Sequence, residues 1–202
     1  MLVEVMTGTT GNPDGMRRLI SDWVADLSPG TTGWRGTTAG VAADGTFIAM
    51  TEIDSATAQI PGHDRWRTAT LAALEGEPSS LVYDRVTVRE LPGDAATAGF
   101  VQFVLRKVPN RADVEKYFTD FDPAYAALRP DCVGRLMASR ADGQLVGAFY
   151  FSSEADARAA EAQEMAPELA DLIQRGQALS VGLGTYIDLT TPWIYRSSLA
   201  MA

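Results

Sequence analysis

The sequence predicts an α+β protein built from two copies of one β-α-β-β-α-β unit. Two stretches indicate the duplication: residues 43–56 read ADGTFIAMTEIDSA, and residues 141–154 read ADGQLVGAFYFSSE. Each stretch has an Asp-Gly pair near its start. Apolar runs precede it at residues 34–42 and 132–140 and follow it at residues 47–53 and 145–151, which is a strong β-hairpin signal. The turn glycines, Gly45 and Gly143, lie 98 positions apart in a chain of 202 residues. A duplication therefore predicts the same type of element at positions 98 apart throughout the chain.

The first strand and the first helix are expected at matching places in the two halves. Short apolar runs at residues 2–6 and 100–104 are each typical of a strand. Asn12 and Asn110 are suitable N-caps, and each precedes apolar residues at helical spacing. In the second half, Pro123 is expected to interrupt this helix. Each half thus opens with a strand and an amphipathic helix.

The second helix of each half follows its hairpin. Ser55 and Ser153 are candidate N-caps for these helices. In the first half the Pro-Gly pair at residues 61–62 is expected to delay the helix until about His63. In the second half Pro167 is expected to start or kink the last part of a longer helix.

Apolar runs over residues 81–88 and 179–187 predict a closing strand in each half. The resulting order is that of the ferredoxin-like, or split βαβ, unit. A four-stranded sheet with both helices on one face leaves its other face uncovered, and the second unit is the nearest cover. We therefore predict two antiparallel sheets packed into one pseudo-dimeric α+β barrel. The expected divisions are an N-terminal unit over residues 1–92, a linker over residues 93–99, a C-terminal unit over residues 100–190 and a tail over residues 191–202.

Composition and charge exclude several classes of protein. The chain is 46% hydrophobic and 21% charged, which is typical of a globular protein. No apolar run approaches the roughly 20 residues that span a bilayer, and the first residues lack the pattern of a secretion signal, so we expect a cytoplasmic protein without a membrane partner. Seventeen basic and 26 acidic residues give a net charge of −9, which disfavours nucleic acid. The single cysteine, Cys132, excludes an intrachain disulfide and a thiolate-rich metal site, and no metal is expected.

One further motif, together with the order of elements, carries a resemblance to a known superfamily. Residues 149–155 read FYFSSEA, a strand that runs into a Ser-rich, acidic helix start. The chain thereby resembles the dimeric α+β barrel superfamily, and within it the antibiotic-biosynthesis-monooxygenase-like domains. Members often have Trp where this chain has Tyr150 and, in the first half, Glu52. They also have a Pro-His segment, for which residues 61–63 are the counterpart.

The resemblance implies a barrel that binds a small apolar or aromatic molecule. Its leading implied activity is cofactor-independent oxygenation of an aromatic polyketide or a quinol, so no cofactor is expected. A non-catalytic barrel that binds a ligand or a protein is the alternative, and haem binding is a third. A chain with two units would be its own pseudo-dimer, either as a monomer or as a homodimer through the aromatic tail at residues 191–195.

Three residues are the predicted catalytic groups. His63 is the only histidine, so any reaction that needs an imidazole base must use it. Tyr83 and Arg85 lie two apart on the predicted closing strand, so a phenol and a cation would share one face and could stabilise an oxyanion. The ordinary alternatives are a histidine at a helix start and a solvated strand edge.

Trp34, Trp66 and Tyr150 are the predicted substrate-binding residues, because their rings could stack on a planar ligand. Their alternative role is to anchor the hydrophobic core. The two halves differ in their aromatic residues: Trp34, for example, corresponds to Cys132. Since matched sites need matched residues, we expect a single pocket, in the N-terminal half.

Overall fold

The computed structural model describes residues 1–27, 31–55, 58–90 and 93–197. It divides the chain into two compact units. The N-terminal unit comprises Met1–Asp84 and Thr191–Ala202, and the C-terminal unit comprises Arg85–Thr190. The order β-α-β-β-α-β occurs once in each half of the chain, so the α+β class and the order of elements are confirmed. The closure of the two sheets into one barrel stays a prediction.

The N-terminal unit contains one antiparallel sheet of five described strands and two helices. With strands and helices numbered along the chain, its elements are β1 (Leu2–Thr9), α1 (Pro13–Asp26), β2 (Trp34–Val41), β3 (Thr46–Ile53), α2 (His63–Ala73), β4 (Glu75–Tyr83) and β10 (Trp193–Arg196). The strand order in the sheet is β10-β2-β3-β1-β4. The edge strand β10 therefore comes from the far end of the sequence.

The C-terminal unit is built on the same plan. Its elements are β5 (Arg85–Glu90), a short 3₁₀ helix (Ala95–Thr97), β6 (Phe100–Lys107), α3 (Arg111–Leu128), β7 (Cys132–Ser139), β8 (Gln144–Phe151), α4 (Glu154–Glu161), α5 (Pro167–Ala178) and β9 (Thr185–Leu189). The described strands form an antiparallel sheet in the order β5-β7-β8-β6-β9. The predicted separate linker is thus part of this unit.

The central strand pairs of the two sheets have the same register. Glu4 of β1 lies opposite Thr51 of β3, and Gln102 of β6 lies opposite Phe149 of β8. Each residue of the second pair is 98 positions after its counterpart in the first. Equivalent positions in the two units can therefore be read directly from the sequence.

The predicted closing strand over residues 81–88 is two strands that belong to different sheets. β4 ends at Tyr83 and pairs with β1, whereas β5 begins at Arg85 and pairs with β7. Likewise the predicted tail forms β10, which pairs with β2. Each sheet consequently has five described strands rather than the predicted four. The additional strand of the N-terminal sheet is β10, which comes after the C-terminal unit in the sequence. The additional strand of the C-terminal sheet is β5, which comes directly after β4. The apolar pattern concealed this change because it indicates which face of a strand is buried, not which strand lies beside it.

Helix boundaries agree with most of the capping residues. The side chain of Asn12 accepts a hydrogen bond from the backbone N–H of Gly15 at 3.0 Å, and Ser153 caps α4 in the same way. Asn110 caps α3 as expected. Ser55, in contrast, lies eight residues before the start of α2, which begins at His63 after Gly62.

Two expectations for the helices of the C-terminal unit had different outcomes. α3 continues through Pro123 to Leu128 instead of being interrupted there. The long second helix is two helices, and Pro167 occupies the first turn of α5, where its missing N–H has no helical partner to lose. In addition, β9 is shorter than the predicted strand and begins only at Thr185.

Candidate functional site

The buried carboxylate of Glu4 organises a polar cluster in the N-terminal unit. Glu4 is 2% exposed, and its Oε2 lies 2.8 Å from Nε2 of His63. The hydroxyl of Ser80 donates to Glu4 Oε1 at 2.6 Å, and Arg67 Nη1 is 3.6 Å from the same oxygen. Burial by itself raises the pKa of Glu4, but the hydrogen bonds from His63 and Ser80 and the nearby positive charges hold that pKa below its ordinary value.

All four tryptophans of the chain are buried in the core of the N-terminal unit. The rings of Trp23 and Trp66 are stacked with their centroids 4.2 Å apart, and Trp34 meets Trp23 edge-on at 6.1 Å. Trp193, from β10, belongs to the same core. The indole N–H of Trp23 donates to the carbonyl of Pro61 at 3.1 Å. These rings fill the space between the sheet and its helices.

Three of the predicted residues therefore lie together at this aromatic group. The rings of His63 and Trp66 have centroids 5.7 Å apart. Trp34 is part of the same aromatic group, and its indole N–H donates to the hydroxyl of Thr37. In the other unit Tyr150 is a fully buried residue of β8, so it is packed as a core residue.

Tyr83 and Arg85 do not share a strand face as predicted. Tyr83 is the last residue of β4, where it is buried and pairs with Val3. Arg85 is the first residue of β5 and pairs with Ser139 in the other sheet. The expected phenol and cation on one strand are absent because Asp84 separates the two strands.

A cavity of about 250 Å³ lies within the C-terminal unit rather than in the predicted N-terminal half. Residues of β6, β7, β8 and β9 form one side, and residues of α3, α4 and α5 form the other. Its walls are largely aliphatic and aromatic, and they include Val104, Val114, Phe121, Tyr125, Met137 and Phe149. None of the six predicted site residues is among the described residues that line this cavity.

An arginine is held at one end of the cavity by two hydroxyl groups. Arg106 donates from Nη2 to the hydroxyl of Tyr186 at 2.6 Å and from Nη1 to the hydroxyl of Ser180 at 3.4 Å. All three residues line the cavity. Tyr186 is 52% exposed, so this end of the cavity opens to solvent.

Three other polar side chains at the cavity have hydrogen-bond partners of their own. Arg129 forms a bidentate pair with Asp131, with nitrogen–oxygen distances of 2.9 and 2.7 Å. The side-chain amide of Gln102 donates to Asp188 at 3.0 Å, and Glu161 accepts from Arg158 at 2.9 Å. These side chains add polarity to the cavity with their charges already compensated.

Tyr117 places a protonated phenol in the cavity wall. Its hydroxyl donates to the carbonyl of Leu172 at 3.0 Å, and burial raises its pKa to about 12. A Cβ atom on Gly176 would lie only 2.5 Å from this hydroxyl oxygen. Glycine at position 176 is therefore what allows Tyr117 to lie against α5.

The side chains at equivalent positions differ between the two units. At the spacing of 98, Trp23 corresponds to Phe121 and Met16 corresponds to Val114. Glu4 corresponds to Gln102, and the C-terminal unit contains no tryptophan at all. The cavity of the C-terminal unit therefore lies among residues that differ from their N-terminal counterparts.

The described residues contain no group of three or more His, Cys, Asp or Glu that could hold a metal ion. The helices in the same part of the chain are all too short or too polar to cross a lipid bilayer. The single thiol, Cys132, is buried in the C-terminal unit, and burial raises its pKa to about 12.

The α+β fold of the chain is shared with solved structures over nearly its whole length, so the resemblance predicted from the sequence is confirmed at the level of fold. A provisionally assigned monooxygenase from Lactobacillus acidophilus NCFM is similar with a TM-score of 0.72 and 10% identity, over 97% of this chain and 96% of that one. A second provisionally assigned monooxygenase, from Fusobacterium nucleatum subsp. nucleatum ATCC 25586, has a TM-score of 0.74 and 12% identity, over 96% and 94%.

An anthrone oxidase-like protein is similar with a TM-score of 0.65 and 13% identity, over 96% of this chain and 90% of that one. No protein-family model matches the chain, and no curated protein matches it in sequence. With identities this low, the structural similarity establishes the fold, and the activity has to be argued from the site.

Proposed function

We propose that the C-terminal unit binds a small, largely apolar aromatic molecule in its cavity. The observation that carries this proposal is the cavity of about 250 Å³ with aromatic and aliphatic walls and a few fixed polar groups. Such a combination is typical of small-molecule sites, and the volume is below the roughly 300–1,000 Å³ of sites for drug-sized ligands. The ligand is therefore compact, with a few rings at most.

Cofactor-independent oxygenation is the reaction that we propose for this ligand. The fold similarity to an anthrone oxidase-like protein supports this class of reaction. In a balanced form, an activated CH₂ group between aromatic rings loses two hydrogens and gains one atom of O₂ as a carbonyl oxygen. The second oxygen atom leaves as water. The substrate supplies the electrons, so no other reductant is required.

In this proposal the residues of the cavity bind and orient the substrate. The apolar walls exclude water from the reacting carbon. Arg106, which lines the cavity, would stabilise the enolate oxygen that forms when the CH₂ group loses its proton. The carbonyl oxygen of the Gln102 side chain can accept a hydrogen bond from a substrate hydroxyl, since its amide nitrogen already donates to Asp188.

Binding without catalysis is the second candidate, and one observation favours it. Within the part of the chain that the structure describes, no histidine lines the cavity. The Tyr117 hydroxyl, with a pKa of about 12, stays protonated at neutral pH and cannot serve as a base there. A ligand that ionises on its own, or one that is only stored, needs no such base.

A thermal-shift screen followed by oxygen-uptake measurements tests both candidates. We expect compact aromatic compounds, such as anthrones and naphthalene diols, to raise the melting temperature because they bind only the folded state. Fatty acids and haem serve as comparison classes. Stabilisation together with stoichiometric O₂ consumption supports the oxygenase, whereas stabilisation without O₂ consumption supports binding alone. No stabilisation by any aromatic compound would contradict the proposal.

A further inference from the structure

Arg106 is the cation at the cavity whose described hydrogen-bond partners are neutral. It donates to the hydroxyls of Tyr186 and Ser180, whereas Arg129 pairs with the carboxylate of Asp131. A neutral hydroxyl orients a guanidinium but does not cancel its charge. The positive charge at the mouth of the cavity therefore remains available to a ligand.

The position of Arg106 is fixed from three sides. Its guanidinium carbon lies 5.8 Å from the ring centroid of Tyr186 on β9. A Cβ atom on Gly184 would lie 2.9 Å from Arg106 Cγ and 3.0 Å from its Nε, so the arginine lies directly against the backbone there. Ser180, in the segment between α5 and β9, supplies the third contact. A side chain held in this way loses little further freedom when it binds a ligand.

An acidic oxygen is the ligand group that suits this end of the cavity. A guanidinium forms strong, charge-assisted hydrogen bonds with a carboxylate or with an ionised enol. The protein as a whole carries a charge of −9, which repels anions at long range. Recognition of an anion therefore requires a specific cation such as Arg106.

We infer that the ligand carries an acidic oxygen, either a carboxylate or an ionised enol, which Arg106 binds at the mouth of the cavity while the rings occupy the apolar interior. This inference rests on the proposed function and adds the class of substrate to it. Tyr186 and Ser180 act as positioning residues, because they orient the guanidinium. Neutral polycyclic hydrocarbons and their ethers are correspondingly poor ligands.

Matched pairs of ligands test the inference in two arms. The first arm uses 2-naphthoate and its neutral amide, and the second uses 2-hydroxy-1,4-naphthoquinone, which is ionised at neutral pH, and its methyl ether. Dissociation constants are measured by titration calorimetry on the full chain. We expect at least one anion to bind about 10-fold or more tightly than its neutral partner, in line with a charge-assisted hydrogen bond. The arm that shows the preference identifies the acidic group.

Variants then assign the preference to Arg106. Arg106→Gln should abolish the preference by weakening the anion about 10-fold while it changes the neutral ligand less than about 2-fold. Arg106→Lys should retain part of the preference. The matched control is Arg175→Gln, which removes an exposed arginine of the same unit that pairs with Asp171 outside the cavity. It should leave the preference unchanged.

Tyr186→Phe provides an independent readout, since it keeps the charge and removes the hydroxyl that orients it. We expect a several-fold loss of preference for the anion. This measurement remains available even if Arg106→Gln fails to fold. Equal binding of anions and neutral partners by the wild type would overturn the inference while the proposed function stands. If Arg106→Gln lost affinity equally for the anion and for its neutral partner, the inference would also be overturned. If no probe of either kind binds, the proposed function fails, and this inference fails with it.

Discussion

The two units share one pattern of strand pairing but have different interiors. In the N-terminal unit, the tryptophans close the space between sheet and helices, with Trp23 and Trp66 stacked at 4.2 Å. In the C-terminal unit, Phe121 occupies the position equivalent to Trp23, and a cavity of about 250 Å³ remains. The same pattern of strand pairing is therefore compatible with a core of four tryptophans in one unit and with a cavity in the other.

The units also use charge differently. The N-terminal unit buries the carboxylate of Glu4, whose Oε2 lies 2.8 Å from Nε2 of His63. At the equivalent position the C-terminal unit has the neutral amide of Gln102, and its free charge, on Arg106, lies at the mouth of the cavity. A charged group is buried in one unit, and in the other a charged group lies at the mouth of a cavity.

The largest expected effect comes from removing a large aromatic side chain from the core of the N-terminal unit. Trp66→Ala should lower the free energy of unfolding of the N-terminal unit by about 3–5 kcal/mol, because it removes a buried indole and leaves a cavity. Ile173→Ala, in the wall of the existing cavity, should cost only about 1 kcal/mol, because that side chain is half-buried.

Each unit has its own natural reporter for this measurement. Tryptophan fluorescence follows only the N-terminal unit, and the reactivity of the buried Cys132 thiol follows only the C-terminal unit. Denaturant unfolding is therefore monitored by both signals. Equal costs for the two substitutions would show that the N-terminal aromatic core is not the more tightly packed of the two.

The second prediction replaces Glu4 of the N-terminal unit with glutamine, the residue at the equivalent position, 102, of the C-terminal unit. Glu4→Gln should destabilise that unit by about 1–3 kcal/mol at pH 7, because the buried pair with His63 loses its charge. The folded-state pKa of Glu4 lies below its ordinary value near 4.5. Its stabilising contribution is therefore complete above that value and is lost as the pH falls through the lower, folded-state pKa.

Urea unfolding at a series of pH values from 7 to 3 measures this effect. The difference between wild type and Glu4→Gln should shrink toward pH 3. The reciprocal change, Gln102→Glu, introduces a carboxylate beside Asp188 and should destabilise the C-terminal unit at pH 7. A Glu4→Gln difference that stays constant over the whole pH range would exclude a role for the carboxylate charge.

The third prediction fills part of the cavity in the C-terminal unit with a larger side chain. Val104→Phe should place a ring in the cavity and weaken aromatic ligands about 10-fold or more, since the ligand and the ring compete for the same space. Val181→Phe is the control because Val181 is exposed at 60% and is not among the residues that line the cavity. Titration calorimetry with a ligand from the thermal-shift screen measures both. Wild-type affinity in Val104→Phe would place the ligand elsewhere.

The smallest effect is expected where the units are alike. Asp44 accepts a hydrogen bond from the backbone N–H of Thr46 at 2.9 Å, and Asp142 accepts one from Gln144 at 3.1 Å. These backbone hydrogen bonds lower the pKa of both carboxyl groups. Asp44→Ala and Asp142→Ala should each lower the melting temperature by only about 1–2 °C at pH 7.

Both of these turn effects should fade in acid, because a lowered carboxyl pKa gives stability that is lost as the pH falls through it. Calorimetric melting at pH 7 and pH 3 provides the check. A large effect at one turn only would show that the two hairpins are not equivalent.

The order of elements could be predicted from the sequence because local signals encode it. The Asp-Gly turns set the hairpins, and the caps at Asn12, Asn110 and Ser153 set three helix starts. The change of sheet at Asp84 could not be predicted, since an apolar pattern carries no information about the identity of the neighbouring strand.

The cavity lies in the C-terminal unit, whereas the sequence interpretation took the large aromatic residues of the N-terminal half as a ligand surface. Trp34 and Trp66 instead belong to the hydrophobic core, where both rings contact Trp23. Whether side chains fill a space or only line it depends on their summed volume in three dimensions, which residue types at a given spacing do not reveal. Tyr117 and Phe121 accordingly looked like an ordinary helix stripe.

The sequence contains a signal for the polar interior residues Glu4 and Gln102. The first strand reads LVEVM and its counterpart reads FVQFV, each with a single polar residue at the centre. A carboxylate within a buried strand requires a partner, and His63 is that partner for Glu4. Gln102, at the same place in the second strand, indicates a polar position in the C-terminal interior.

The late position of β10 in the sequence has a consequence for how the protein is made. The C-terminal unit is inserted between β4 and β10, so a ribosome completes it before Trp193–Arg196 are synthesised. Until then, β2 has an unpaired edge, which is the kind of surface that promotes aggregation. A compact insertion also brings the ends of this long connection together at a lower cost in chain entropy than an unfolded one. Early folding of the C-terminal unit would thus shorten the period during which the nascent N-terminal sheet is vulnerable.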